Sequence, residues 1–510
     1  MNKVCRLSVA TLSIIVVLVV ALAFRVYYIT QKAGLEGDEL TSLTLAYNAT
    51  GWGDDAYVAD SVYTSQQLRQ MLYVDNRGGF AGYADDIASL WRDNRDGSHA
   101  SLYYMALRTA LIGQDVPEIR PVITRACVLN LLLFAASFVA MAWMLRRLFP
   151  RRRYLPALLL AAAYLNPAAI STTLLVREYQ LAEALMVAFT AATVALCMYV
   201  KDNRRVKASH AICVAISSAA LVSAGYFNTI YAVLLCIGAY VYCRRHLPTR
   251  AQLYFPAIIV VSVILCKLFY WGFFNFLFDD RTADVATMLS GDNTWAHVYY
   301  GCTKCVKMTA LDILGLPLTA LIAVVAIVAM WRGRKPNMPF DRVPVFAALW
   351  FVLAMILAPW KLNRYACAAV PVIAAGCMFL ACELARPKHK IVAIVALLLL
   401  AGNTLFSGRV DYLNDEPVDF PNDRCVVLYA KTSGDRNMLT LLIPHLSDEQ
   451  RCVIVPTIAD AGRYVDGDEV SVFADKELPE LCNSPVLVDS QPFNPWLCRY
   501  RINTFYRTQK

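Results

Sequence analysis

Charge is scarce in this chain of 510 residues. Asp, Glu, Lys and Arg make up 17% of it, where a soluble protein averages about 25%. Apolar residues make up 58% and the mean hydropathy is +0.46, which excludes an ordinary cytosolic enzyme. A Walker A loop and a GxGxxG fingerprint are both missing, which argues against an ATP-driven transporter with its motor in this chain. Internal repeats of fixed period and low-complexity tracts are absent too. No small-x-small cleavage site follows the first hydrophobic block, where the chain reads QKAGLEGDE from Gln31 to Glu39. That block also outruns the apolar core of a signal peptide, about 7–15 residues, so it is expected to remain as a span.

What the chain does have is a series of apolar blocks near the ~20 residues that cross a bilayer. Spans are expected near 7–30, 122–145, 155–174, 179–200, 208–226, 227–243, 252–272, 309–331, 343–359, 366–384 and 391–407. The N-terminus and the loops at 146–154, 201–207, 243–250, 331–342 and 383–390 together hold 21 Lys or Arg and three acids. By contrast, 31–121 holds seven basic and 13 acidic residues, and 407–510 holds 11 and 16. Basic excess in short loops assigns those loops to the cytoplasm. The net charge of +9 is therefore a topology signal, and no nucleic-acid partner is expected. Eleven spans put the N-terminus in the cytoplasm and the tail outside. The expected fold class is an α-helical polytopic membrane protein, in a bacterial inner (plasma) membrane, with a transmembrane module over 1–406 and a small C-terminal extracytoplasmic α/β domain over 407–510.

Three stretches lie outside the membrane in this reading: 31–121, 273–308 and 407–510. The first has a helix-period run after Asp38 (Leu40, Leu43, Leu45, Ala46) and, at 99–113, an aromatic, apolar run too short to span, which is expected to lie as a helix in the interface. The tail alternates β-rich runs (Cys425–Tyr429, Cys452–Val455, Val470–Phe473, Val486–Val488) with polar helical segments. Of the 16 cysteines, most sit in spans as small hydrophobes. Cys425, Cys452, Cys482 and Cys498 lie in the extracytoplasmic tail, where two disulfides are expected in one of three connectivities. Cys302 and Cys305, with only His297 near them, are read as a disulfide or free thiols rather than half a zinc site. No motif supports a divalent metal.

Ionisable groups near membrane depth are costly and default to functional candidates. Arg25, Asp38, Glu39, His99, Arg177, Glu178, Glu183, Lys267, Asp312, Lys361 and Arg364 all fall near the outer face in this topology. Asp38 can be a helix N-cap or, ionised at the outer mouth, a general base that takes a proton from an acceptor hydroxyl. Arg177 can pair with Glu178 in an interfacial turn or offer its guanidinium fork to a phosphate. Lys361 and Arg364 are cations in a loop where the charge rule expects few. They either snorkel to head groups or, with Arg177, form an anion site.

Several of these motifs together carry a resemblance. An acid pair follows the first span (Gly37-Asp38-Glu39-Leu-Thr-Ser42). A later run, His99-Ala-Ser-Leu-Tyr103-Tyr104, is like a His-Pro-Pro-Leu-Tyr-Tyr sequence. Arg177, Glu178 and Glu183 open the fourth span, and Arg364-Tyr365 precede a late one. Over about 1–385 this resembles the GT-C glycosyltransferases, and more narrowly glycosyltransferase family 39 with its bacterial relatives, the protein O-mannosyltransferases and the aminoarabinose transferase of lipid A. The resemblance implies inverting transfer of a sugar from a polyprenyl-phosphate donor, a membrane lipid, to the hydroxyl of a glycan, lipid or protein acceptor at the extracytoplasmic face. It implies no certain cofactor. Asp38 would match the catalytic carboxylate, with Glu39 beside it. Arg177 with Lys361 or Arg364 would hold the donor phosphate, and His99, Tyr103, Tyr104, Glu178, Glu183 and Tyr365 are candidates for substrate contact. Ala100-Ser101 replace the Pro-Pro of the family run, and the tail carries none of its motifs. Two other classes compete. A transporter or flippase for a lipid-linked or anionic substrate would also place cations in a helical bundle, although no inverted repeat is visible. An assembly subunit would tolerate replacement of the outer-face charges.

Overall fold

The computed structural model describes residues 8–47, 59–65, 67–68, 78–93, 100, 102–114, 119–278, 294–333, 342–358, 361–386, 389–413, 425–430, 442, 446, 450–461, 463–464, 469–475, 487–492 and 497–503. His99 and Cys482 lie outside the described residues. In chain order, α1 (Val9–Gln31) and α2 (Gly37–Tyr47) are followed by β1 (Val62–Thr64), α3 (Gly79–Arg92) and α4 (Leu102–Ala110). Next come α5 (Ile119–Leu148), α6 (Leu155–Tyr164), α7 (Pro167–Leu174), α8 (Tyr179–Asn203), α9 (Ala208–Val222), α10 (Asn228–Cys243) and α11 (Tyr254–Phe269). Then follow α12 (Thr294–Lys307), α13 (Leu316–Trp331), α14 (Arg342–Leu357), α15 (Val370–Leu384) and α16 (His389–Phe406). The tail holds β2 (Cys425–Tyr429), β3 (Arg451–Val455), α17 (Ile458–Ala461), β4 (Glu469–Asp475), β5 (Leu487–Pro492) and β6 (Leu497–Asn503).

Each of the eleven expected spans contains a helix. Among the described residues, five are long and apolar enough to cross a membrane as they stand, or seven if each bent pair is one span, and α9, α10, α14 and α16 are shorter apolar helices. The chain is an integral membrane protein with a small sheet. Burial separates its centre from its rim: the apolar windows of α8 and of the span ending in α15 are 72% and 83% buried, against 11% for α1 and 22% for the span ending in α11. The rim helices expose Val16, Val19, Ile264 and Leu268, an apolar surface suited to lipid chains. Between α8, α9, α10 and α11 lies a cavity of about 520 Å³ whose walls include Leu196, Cys236, Phe255 and Ile259.

Two spans depart from the straight helices expected. The third breaks into α6 and α7, which meet at 57°. Pro167 has no N–H to continue the ladder. Asn166 turns the corner: its side-chain oxygen accepts from Ala169 N at 2.9 Å, and its amide donates to the carbonyls of Ala162 and Ala163, each at 3.0 Å. Carbonyls opened by the break need donors in a site without water. Arg25 of α1 supplies them, donating to Tyr164 O at 3.0 Å, Ala169 O at 3.1 Å and Thr173 Oγ1 at 2.9 Å, with its guanidinium 3.7 Å above the Phe134 ring. In the eighth, a π turn over Met308–Ile313 runs to Gly315, whose φ of +77° suits glycine alone, and α13 leaves at 108° to α12. The loop expected at 273–308 therefore contains the helix α12. It packs closely on α14, where a Cβ at Gly301 would stand 2.9 Å from Ile356 Cγ1.

The run after Asp38 is the helix α2, with Leu40, Leu43, Leu45 and Ala46 buried. The short aromatic run forms α4, but Tyr103, Tyr104 and Leu107 are buried against the protein. α4 packs on α2, α3 and α5, which accounts for the burial of these side chains.

The sheet has the order β1-β3-β2-β4-β6-β5. β2 is parallel to β3 and to β4, while β1 pairs antiparallel with β3 and β6 pairs antiparallel with both β4 and β5. β1 belongs to the stretch 31–121, so that stretch and the tail share one sheet. β6 was not anticipated. Strand parity governs the cysteines: Cys425 and Cys498 belong to one buried cluster of the sheet, and Cys452 to the opposite one, which merges with the helical core. Cys425 and Cys452 are free thiols, as are Cys302 and Cys305 on α12. The two disulfides expected among Cys425, Cys452, Cys482 and Cys498 therefore do not form in any of the three connectivities, and Cys425 and Cys452, on adjacent strands, face opposite sides of the sheet.

Candidate active site

The connector after α1 is held by one buried ion pair. Lys32 and Glu39 are both fully buried, with the ammonium 3.1 Å from the carboxylate. Glu39 also accepts from Glu36 N at 2.8 Å, half of a capping box for α2. It accepts from Val176 N at 2.7 Å as well, across 137 residues. The acid pair of the sequence therefore divides. Glu39, not Asp38, takes the capping role, and it fastens the start of α2 to the connector between α7 and α8. Asp38 is left with its side chain 42% exposed.

Arg364, in the 3₁₀ turn Asn363–Ala369 that leads into α15, reaches the Asp38 carboxylate from 326 residues away. Its other terminal nitrogen pairs with Glu36. One guanidinium thus clamps two carboxylates, and among the described residues its Nε has no hydrogen-bond partner. Arg177 comes from the connector between α7 and α8. It donates to the Asp38 carbonyl at 3.0 Å and lies 3.2 Å from Glu178. Tyr179 and Tyr365 pack edge to face at 6.3 Å, and the Arg364 guanidinium stands 5.9 Å from the Tyr365 ring centroid. Burial pushes the Glu36 carboxyl up to about 7, against the opposing pull of Arg364.

Asp38, Arg177, Glu178, Arg364 and Tyr365, distant in sequence, thus meet at one end of the bundle, the end that carries the sheet. Tyr104 is buried beside Arg177, while Tyr103 lies behind the site. Its hydroxyl donates to Asn130, whose amide in turn holds the carbonyls of Thr173 and Leu175 at 3.1 and 2.7 Å. Glu183 lies deeper on α8, in a buried chain in which Gln180 donates to it at 3.0 Å and accepts from Thr173 at 2.7 Å. It belongs with Arg25 to the support of the broken span. Lys361 does not join the anion site. Its ammonium donates to the carbonyls of Ile356 and Ala358 at 2.7 and 2.6 Å, capping α14, and burial lowers its pKa. Lys267 donates to the Trp271 carbonyl, and Asp312 meets Arg409 at 3.2 Å and Asn363 at 3.2 Å. Among the described residues no three His, Cys, Asp or Glu side chains converge as a metal site.

Sequence reasoning missed Glu36, Lys32 and Tyr412. Glu36 sits two residues before Asp38 and reads as one more acid of an acidic loop. Lys32 reads as a span-end cation, and Tyr412 carries no motif. Only the distances between segments reveal them.

No family model and no curated protein matches this chain. Among solved structures, the crystal structure of ArnT from Cupriavidus metallidurans in the apo state matches over 98% of each chain, at 11% identity and a TM-score of 0.43.

Proposed function

We propose that the chain is an integral-membrane glycosyltransferase of the GT-C type. It would transfer a sugar, with inversion, from a polyprenyl phosphate to an acceptor hydroxyl at the extracytoplasmic face of a bacterial inner membrane. The observation that carries the reading is a half-exposed carboxylate, Asp38, paired with the Arg364 guanidinium while the Arg177 guanidinium is held on the backbone carbonyl of the same residue. In such a transfer the acceptor oxygen bonds to the anomeric carbon as the bond from that carbon to the phosphate oxygen breaks. The leaving phosphate keeps the electron pair, and the acceptor proton passes to Asp38. Charge develops on the leaving phosphate, where fixed guanidinium donors stabilise it. Arg364 is suited to this because its Nε has no hydrogen-bond partner among the described residues, and because a phosphate can replace Asp38 on its terminal nitrogen while Glu36 holds the other. That exchange would release the Asp38 carboxylate as the phosphate binds. Glu39 is too enclosed to meet an acceptor. The apolar cavity among α8–α11 supports the reading, since it offers an isoprenoid chain a path within the helical layer.

The test is mass spectrometry of lipids retained by the purified protein, paired with turnover. Wild type and Asp38→Asn should both retain a polyprenyl-phosphate sugar, and Asp38→Asn should lose transfer by the ~10²–10⁴-fold expected for a general base. Undiminished transfer by Asp38→Asn would end the base assignment. Absence of any phosphate lipid from the wild type, together with failure of added polyprenyl phosphate to bind, would end the donor class.

A further inference from the structure

The segment between α16 and the sheet, residues 407–413, is strapped across the site. Asp411 N donates to Ser171 Oγ of α7 at 2.9 Å, Ala33 N donates to the Leu413 carbonyl at 2.8 Å, and Arg409 pairs with Asp312 at 3.2 Å. Lys32, besides holding Glu39, donates to the Tyr412 carbonyl at 2.7 Å. Three described residues other than glycine have left-handed backbone: Asp60, Arg204 and Tyr412. Asp60 is of the type that tolerates this conformation, and Arg204 caps the C-terminus of α8. Tyr412 is neither a helix cap nor a tolerant residue. A bulky side chain held at a φ of +66° is strained, and such strain persists only where surrounding contacts impose it, most often at functional sites. Here the contacts are those of the strap, and the phenol lies within electrostatic reach of Cys367, the Glu36 carboxylate and the Arg364 guanidinium. Burial raises the phenol's pKa well above its usual value, so it stays a hydrogen-bond donor.

We propose that Tyr412 is a donor-binding residue delivered by the tail, its hydroxyl supplying a hydrogen bond to the same phosphate that Arg364 and Arg177 hold. This rests on the glycosyltransferase reading and gives the tail a part in it. The strap is a short tether with both flanks anchored, so docking of the sheet determines where the phenol stands. A neutral donor beside two cations adds direction without further charge, which suits a phosphate monoester formed in a partly buried site.

The experiment titrates the full-length purified protein in detergent with a polyprenyl monophosphate, alongside turnover and thermal unfolding. Tyr412→Phe keeps the ring and the backbone and should weaken phosphate binding about five- to tenfold at an unchanged unfolding midpoint. In turnover it should raise KM for the donor more than it lowers kcat. Ser171→Ala frees Asp411 N and loosens the strap without touching the site, and it should weaken binding by a smaller factor, about twofold. Wild-type binding and KM in Tyr412→Phe would overturn the proposal. So would a lowered unfolding midpoint with binding unchanged, because the hydroxyl would then be structural. Asp38→Asn run in parallel separates the two readings. If it abolishes transfer while Tyr412→Phe is silent, only the role of the tail fails. If Asp38→Asn turns over normally, the base assignment beneath it fails.

Discussion

Glu39 and Asp38 are adjacent acids with opposite surroundings, and replacing Glu39 tests that division directly. Glu39→Ala leaves the Lys32 ammonium buried with the Tyr412 carbonyl as its remaining described partner. Breaking a buried ion pair from one side costs ~3–5 kcal/mol. The variant also strips the Glu36 and Val176 amides of an ionised acceptor, and hydrogen bonds to charged groups contribute ~1.5–3 kcal/mol each. These losses share one carboxylate and do not add in full, so the expected destabilisation is about 5 kcal/mol, comparable to the whole stability of many domains. Glu39→Gln keeps an acceptor oxygen but not the charge, and should fall between Glu39→Ala and the parent. The double variant Lys32→Met, Glu39→Leu removes both charges and should cost less than Glu39→Ala, since no lone ion remains. Reversible unfolding in mixed micelles, followed by tryptophan fluorescence, measures all four proteins. If Glu39→Ala unfolds within about 1 kcal/mol of the parent, the claim that this pair fastens α2 to the α7–α8 connector is wrong.

Arg177→Lys should keep a positive charge but lose the fork that spans the Asp38 carbonyl and Glu178, weakening polyprenyl-phosphate binding about tenfold by titration; equal affinity would remove Arg177 from the phosphate site. The carboxyl of Glu36 is raised by burial to about 7 from 4.5, so the folded chain favours its neutral form. Its contribution to stability is full below about pH 4.5 and is lost as pH rises through about 7, an effect on the order of 3 kcal/mol. Glu36→Gln should flatten the pH dependence of unfolding across that window, and an unaltered slope would contradict it. Reporter fusions after residues 150, 205, 247, 337 and 387 should read as cytoplasmic, and those after 60, 290 and 430 as external, because the basic loops set orientation; a cytoplasmic signal at 430 would put the proposed site on the wrong side.

The helices were legible because each apolar block is bounded by charge, and the tail strands because Cys425–Tyr429 and Cys452–Val455 read as short β-rich runs. The meeting of Asp38, Arg177 and Arg364 was legible as a common depth, since each sits at a span end on the same side. What failed to show had no local signature. Asn166-Pro167 marks a break, but the break becomes tolerable only through Arg25, more than a hundred residues earlier, and Arg25 on its own reads as a costly charge at the end of a span. Lys361 and Arg364 are three residues apart and look equivalent in sequence. Their roles differ because the ammonium folds back on the end of α14 while the guanidinium reaches over to Asp38. Nor can period-2 patterning say that a strand at 62–64 will pair with one at 451–455.

That last pairing has a consequence for how the protein is made. β1 is synthesised early, but its partner β3 emerges about 390 residues later, so at roughly 5–20 residues per second the edge waits on the order of 20–80 s with its amides unpaired. Non-local contacts of this kind form slowly because loop closure precedes any gain from them. The stretch that carries β1 is therefore held open throughout insertion of the bundle, and the Lys32 contact to Tyr412 and the strap can close only after the last span has been threaded. Catalytic competence would appear as a final step of biogenesis, and a chain cut short within the tail would leave a complete set of spans with an open sheet edge and no finished site.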